Sequence, residues 1–137
     1  MRPLALATLA VLAACSTTPE QAERAAEREA AAQESLEAEL AGLTPGEPTT
    51  CLPTIGRTQV SSKGYGSTIV YRVSDNLKYR TDTSGGCEGI ARGDILITST
   101  PIGRVCSGDI AQTFDRVARF PTGSCSFGEF VPYRRAS

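Results

Sequence analysis

The side chains best suited to chemistry in this 137-residue chain are five cysteines: Cys15, Cys51, Cys87, Cys106 and Cys125. A thiol can be acylated, oxidised to a disulfide, ligate a metal or attack a substrate, and its surroundings select among these. The chain has no His, which narrows the choice. Without an imidazole there is no Cys/His or Ser/His/Asp nucleophilic site, and no side chain that titrates near pH 7 unperturbed. The four later cysteines are separated by 35, 18 and 18 residues and form no C-x-x-C pair, so their spacing predicts no metal site. Cys106-Ser107-Gly108-Asp109 is the most motif-like patch. It lacks the G-x-S-x-G frame of a nucleophile elbow, and a Ser/Lys dyad at Ser107 could draw only on Lys63 or Lys78. Its reading is a turn that redirects the chain after a disulfide, with a small hydrolase as the outlying alternative. Asp94, Asp109, Asp115 and Glu129 could pair for acid/base work, but seven acids in the last 87 residues is an ordinary density. Gly64-Tyr65-Gly66 lacks a phosphate-loop continuation. The sequence therefore predicts no catalytic residue and no cofactor.

The elements that must position these residues fall into three unlike segments, which the formal net charge of −1 conceals. Residues 1–14 open with Met1-Arg2 and continue as an apolar run of twelve from Pro3 to Ala14. Twelve residues at about 1.5 Å each cannot cross a hydrocarbon core of roughly 30 Å, so a cleaved secretory signal fits better than a membrane span. Residues 15–50 hold eight acidic and two basic side chains up to Thr50 and no aromatic one. Thr18-Pro19-Glu20-Gln21 reads as a helix start, with Thr18 as N-cap and Gln21 completing a capping box. Ala and Glu sustain the helix and Gly42 is placed to end it. Only Leu36, Leu40 and Leu43 make an apolar stripe, over the last two turns, so the helix reads as a solvated acidic spacer. A coiled-coil oligomer is the sharper alternative, but its heptad fails at Glu29 and Gln33, and the oligomeric state stays open. Pro45, Gly46 and Pro48 then mark a linker.

Residues 51–137 carry all eight aromatics, eleven of the thirteen glycines and a charge of +4. Ile69, Tyr71 and Val73 alternate on one face, Leu77, Tyr79 and Thr81 continue the pattern, and Ser74-Asp75-Asn76 between them is turn chemistry. This is the best hairpin in the chain. Further short runs at 94–98, 109–114 and 126–131 complete a mainly β reading, a small antiparallel sandwich or barrel of five or six strands. Ile110 to Val117 admits a short helix instead. So small a domain buries a modest core and wants covalent help, which two disulfides supply in an oxidising compartment. Of the three connectivities the favoured one is nested: Cys87–Cys106 closes a strand-to-strand loop and Cys51–Cys125 ties the domain ends. Arg72, Lys78 and Arg80 fall opposite Ile69, Tyr71 and Leu77, and so cluster outward. They read as a solvated sheet face or, functionally, as an anion-binding patch for lipid phosphate or peptidoglycan carboxylate.

Two resemblances sharpen the placement. Leu12-Ala13-Ala14-Cys15 resembles the lipobox of bacterial lipoproteins. That implies cleavage before Cys15, acyl chains on Cys15 and its amino group, and membrane attachment through them, an incidental Cys after an ordinary signal being the alternative. Cys51-Leu52-Pro53, Ile69-Val70-Tyr71-Arg72, Lys78-Tyr79-Arg80, Gly86-Cys87-Glu88-Gly89-Ile90, Val105-Cys106-Ser107-Gly108-Asp109-Ile110 and Gly123-Ser124-Cys125-Ser126-Phe127-Gly128-Glu129-Phe130 together look like one family. It comprises small exported proteins of Gram-negative bacteria, often lipoproteins, built on a four-cysteine domain of unknown function. The resemblance implies an envelope location and carries no catalytic residue. Ser16, rather than Asp, after the lipidated Cys implies the periplasmic face of the outer membrane. Nucleic acid is excluded as a partner by compartment. The expectation is a non-enzymatic envelope lipoprotein.

Overall fold

The computed structural model describes residues 17–53 and 60–136, so the leader, Cys15 and Ser16 lie outside the described residues. Helix α1 spans Pro19–Leu40 and starts as its sequence predicts. Thr18 Oγ1 accepts the Gln21 N–H at 3.3 Å, and Gln21 Oε1 accepts the Thr18 N–H at 3.2 Å. Ala41 caps its C-terminus and Gly42 turns the chain away at φ +75°.

The strands that follow among the described residues are β1 (Thr44–Pro45), β2 (Ser61–Tyr65), β3 (Thr68–Ser74), β4 (Leu77–Gly85), β5 (Ile95–Thr98), β6 (Ile110–Phe114), β7 (Pro121–Phe127) and β8 (Val131–Arg134). A 3₁₀ turn, η1 (Glu88–Arg92), follows β4. Every pairing is antiparallel. β4 is the shared strand: β3 runs along one edge, while the other edge meets β8 at Leu77–Arg80 and then β7 at Thr83–Gly85. β3 continues to β2, β8 to β1, and β7 to β6 and β5. The protein is thus the small, mainly antiparallel β structure with an N-terminal helix and two disulfides that its sequence predicts.

The alternating apolar residues of the hairpin point into the core. Ile69, Tyr71 and Tyr79 meet Ala111 of β6 and Cys125 and Phe127 of β7, with Ile90 and Phe130 in the same cluster. Tyr71, Phe127 and Phe130 stand 6.0 to 6.4 Å apart between ring centroids, in edge and tilted contacts. Gly64 lets η1 press onto β2, because a Cβ there would stand 2.9 Å from the Ala91 nitrogen and closer still to the Ile90 side chain.

Three local expectations change. Ser61–Tyr65, outside the runs read as strands, is strand β2, paired residue for residue with β3. The run 126–131 is not one strand: it joins the end of β7 to the start of β8. At that join Gly128 N–H donates to the Asp82 carbonyl at 2.8 Å. Ile110–Val117 is strand β6 and a turn, not a helix.

The disulfide pairing is also different from the nested scheme. Neither Cys87–Cys106 nor Cys51–Cys125 forms; the bridges are Cys51–Cys106 and Cys87–Cys125, and their loops cross. The register of β4 explains this. Gly85 lies opposite Cys125, and Gly86 N–H donates to the Ser124 carbonyl at 2.8 Å, so Cys87 leaves β4 directly beside β7. Gly85, at φ +115°, permits that approach: a Cβ would sit 2.5 Å from the Ser124 oxygen. Cys51 is meanwhile held against Cys106 by Leu52 N–H to the Val105 carbonyl at 2.8 Å and Ser107 N–H to the Thr50 carbonyl at 2.7 Å.

Candidate functional site

The hairpin face opposite the core was the best candidate site in the sequence, and α1 covers part of it. Ladder register places Tyr65 of β2, Thr68 and Val70 of β3, Lys78 and Arg80 of β4 and Tyr133 of β8 on this side. Val70 is 1% exposed although it alternates with the core residues, because α1 lies over it. Leu36 and Leu40 from the last two turns of α1 pack against Tyr65, Val70 and Tyr133 as a second, smaller apolar cluster. The first turns of α1 are exposed, as a solvated spacer requires, but the last two dock on the β domain.

This docking changes what Arg72, Lys78 and Arg80 can do. They share the face that alternation assigns them, yet each meets a carboxylate. Arg72 pairs with Asp75 in the exposed turn, and Arg80 pairs with Asp82 two residues on, at 3.1 Å. Lys78 does not project outward. Its ammonium is buried beneath α1 and donates to both the Glu39 carboxylate and the Glu39 carbonyl. Tyr65 Oη–H donates to the other carboxylate oxygen, Glu39 Oε2, at 3.0 Å. The hydrogen bond from Lys78, with help from Tyr65, holds the Glu39 carboxyl below the usual carboxylate range despite its burial. Burial, followed by the hydrogen bond to Glu39, pushes the Tyr65 phenol well above its ordinary 10. Glu39, Lys78 and Tyr65 form a clamp between helix and sheet. The sequence carried a signal for it: Leu36, Glu39 and Leu40 share one helical face, and Val70 is the odd apolar residue on a polar sheet face.

The other chemical candidates are spent separately. Asp109 Oδ2 accepts the Cys106 N–H at 2.8 Å and Asp109 N–H bonds back to the Cys106 carbonyl at 3.0 Å, with Gly108 at φ +89°. Cys106-Ser107-Gly108-Asp109 is therefore a turn locked by its own aspartate. Asp94 Oδ2 accepts from Thr122 at 2.6 Å, and the same hydroxyl contacts Thr113 at 2.9 Å. Asp115 accepts two backbone N–H groups of the turn after β6, which hold its carboxyl below the usual range. Glu129 is exposed. A cleft of about 600 Å³ opens between α1 and η1, walled by Arg28, Glu29 and Ala32 on one side and Glu88 and Arg92 on the other, with Gly66 at one end.

The chain matches no family model, no curated protein and no solved structure.

Proposed function

We propose that this chain is an exported, lipid-anchored protein of the cell envelope, attached through Cys15 at the periplasmic face of the outer membrane, whose β domain is non-catalytic. The observation that carries the reading is the use of the cysteines. All four in the β domain are consumed in two disulfides, chemistry that belongs to an oxidising compartment. That leaves Cys15, at the end of the apolar run Pro3–Ala14, as the fifth. An export signal and a lipidation site account for both facts at once. The resemblance to small four-cysteine envelope proteins supports the same placement. The non-catalytic reading rests on the missing imidazole and on the separate structural roles of Asp94, Asp109 and Asp115.

Docking of α1 gives the anchor a mechanical consequence. The clamp at Glu39 and the seats of Leu36 and Leu40 fix one end of the helix to the domain, and the other end leads within a few residues to Cys15. The turns before Ala25, where the helix reaches the cleft beside η1, are six residues long, about 9 Å, so the helix is a short tether between the domain and the leaflet. Mass spectrometry of the tryptic N-terminal peptide tests the reading. The account expects a peptide Cys15–Arg24 carrying acyl mass; an unmodified peptide running from residues before Cys15 overturns it.

A further inference from the structure

The turn between β6 and β7 holds the most exposed large apolar side chain in the described residues, and it is a built turn. Asp115 Oδ1 accepts the Val117 and Ala118 N–H groups at 2.8 and 2.6 Å. Asp115 N–H donates to the Phe120 carbonyl and Arg119 N–H to the Asp115 carbonyl, each at 3.0 Å. These bonds hold Arg119 at φ 57°, the one non-glycine residue with positive φ among the described residues. The tip so presented carries Val117, 90% exposed, and Phe120, 55% exposed, interleaved with Arg116 and Arg119. Ile95, paired with Phe114 at the foot of the turn, adds a further exposed apolar side chain.

The position of the turn in the molecule indicates its partner. Arg116 Nε donates to the Gly93 carbonyl at 3.1 Å, tying the turn to the end of η1 beside Arg92. On its other side η1 faces α1 across the cleft, which Ala25 and Arg28 line together with Ala91 and Arg92. From Ala25 the helix has six residues left before its start at Pro19, and Cys15 is four residues earlier. The apolar tip, its arginines and the N-terminal half of α1 thus lie at the η1 end of the domain. The carboxylate of Asp115 is taken up by backbone N–H groups, which leaves the arginines as the outward charge of the turn.

We propose that this turn is a second membrane contact: Val117 and Phe120 enter the headgroup region of the leaflet, and Arg92, Arg116 and Arg119 meet lipid phosphates. The choice of a bilayer as occupant rests on the proposed anchor at Cys15 and on the charge complementarity between these arginines and anionic lipid.

The chain has no Trp, so Phe120→Trp supplies a single fluorescent reporter. The full lipidated protein is reconstituted in vesicles of phosphatidylethanolamine and phosphatidylglycerol, with and without brominated lipid, and acyl labelling and flotation are scored on the same sample. The expected result is a blue shift and loss of emission to the bromine quencher, both reduced when Arg116→Ala and Arg119→Ala are added. The same reporter at Ile102→Trp, in the β5 to β6 connection at the opposite end of β6, stays unquenched. Floating, labelled protein with an unshifted, unquenched Phe120→Trp reporter overturns the docking turn and leaves the anchor standing. Absence of acyl label and of flotation overturns the anchor, and quenching in the same anionic vesicles still decides the turn. A blue shift without lipid that grows with protein concentration assigns the surface to a second copy and overturns the proposal.

Discussion

Lys78 on β4 and Glu39 on α1, 39 residues apart in sequence, are joined by two hydrogen bonds beneath the helix, one to the carboxylate and one to the carbonyl of the same residue. Their side chains are only 10% and 19% exposed. The contact brings an acidic segment onto a basic one, so the near-zero net charge of the chain is an internal complementarity as well as an average. Burial makes the pair matter more through what its breakage leaves behind than through its net attraction.

Replacing Lys78 with Met removes the charge partner of the Glu39 carboxylate and leaves it only the Tyr65 hydroxyl under the helix. We expect a loss of about 2 kcal/mol in urea unfolding, the cost of stranding a buried acceptor. Adding Glu39→Gln to Lys78→Met recovers most of it. Two independent losses that simply add would show the residues to be uncoupled.

Leu36→Ala removes a side chain that is 2% exposed at the centre of the helix–sheet cluster. An expected cost of about 2–4 kcal/mol follows from burial and the cavity left behind. Hydrogen exchange should quicken at Tyr65–Val70 and α1 while the Phe127 and Phe130 core stays protected. Uniform acceleration throughout would mean that the helix does not dock as a separate contact.

Acid should release the helix before it unfolds the domain. The Glu39 carboxyl is held below its ordinary 4.5 by Lys78 and Tyr65, so its contribution is present above that value and is lost as pH falls through the lower folded value. Tyr65 has the opposite sign. Its phenol is raised above 10, so stability is present below pH 10 and is lost as the pH rises beyond it. Docking of α1, followed by the exchange of its last two turns, should therefore be flat from about pH 5 to pH 9 and weaken on both sides. The acid limb should disappear in Glu39→Gln.

The crossed disulfides predict a particular peptide map. Non-reducing digestion should yield Cys51 linked to Cys106 and Cys87 linked to Cys125. Removing either bridge by paired Cys→Ser substitution should cost about 4 kcal/mol by loop-closure entropy, as the loops span 38 and 55 residues. Recovery of Cys87 linked to Cys106 would restore the nested scheme and contradict the β4–β7 register.

Residues with strong local signals were readable from sequence, and those decided by distant register were not. Thr18 and Gln21 announce the helix start through a purely local capping box, and Ile69, Tyr71 and Tyr79 announce the core face through alternation. The cystine pairing depends on β7 rather than the segment around Cys106 continuing the edge of β4, and no local pattern encodes that choice. Strand β2 was hidden because Ser61, Ser62 and Lys63 face water. Arg72 and Arg80 keep the face that alternation assigns them, and Lys78 alone departs from its outward reading. A sheet face reads as solvated until the segment that covers it is known, and here that segment is the end of α1.

The most direct test of the central claim is metabolic labelling with an alkyne fatty acid in cells making the full chain or its Cys15→Ala variant, followed by capture and a blot for the protein. The account predicts a labelled, membrane-associated protein in the first case and complete loss of label in the second. An unlabelled wild-type chain, or full label surviving Cys15→Ala, would contradict it.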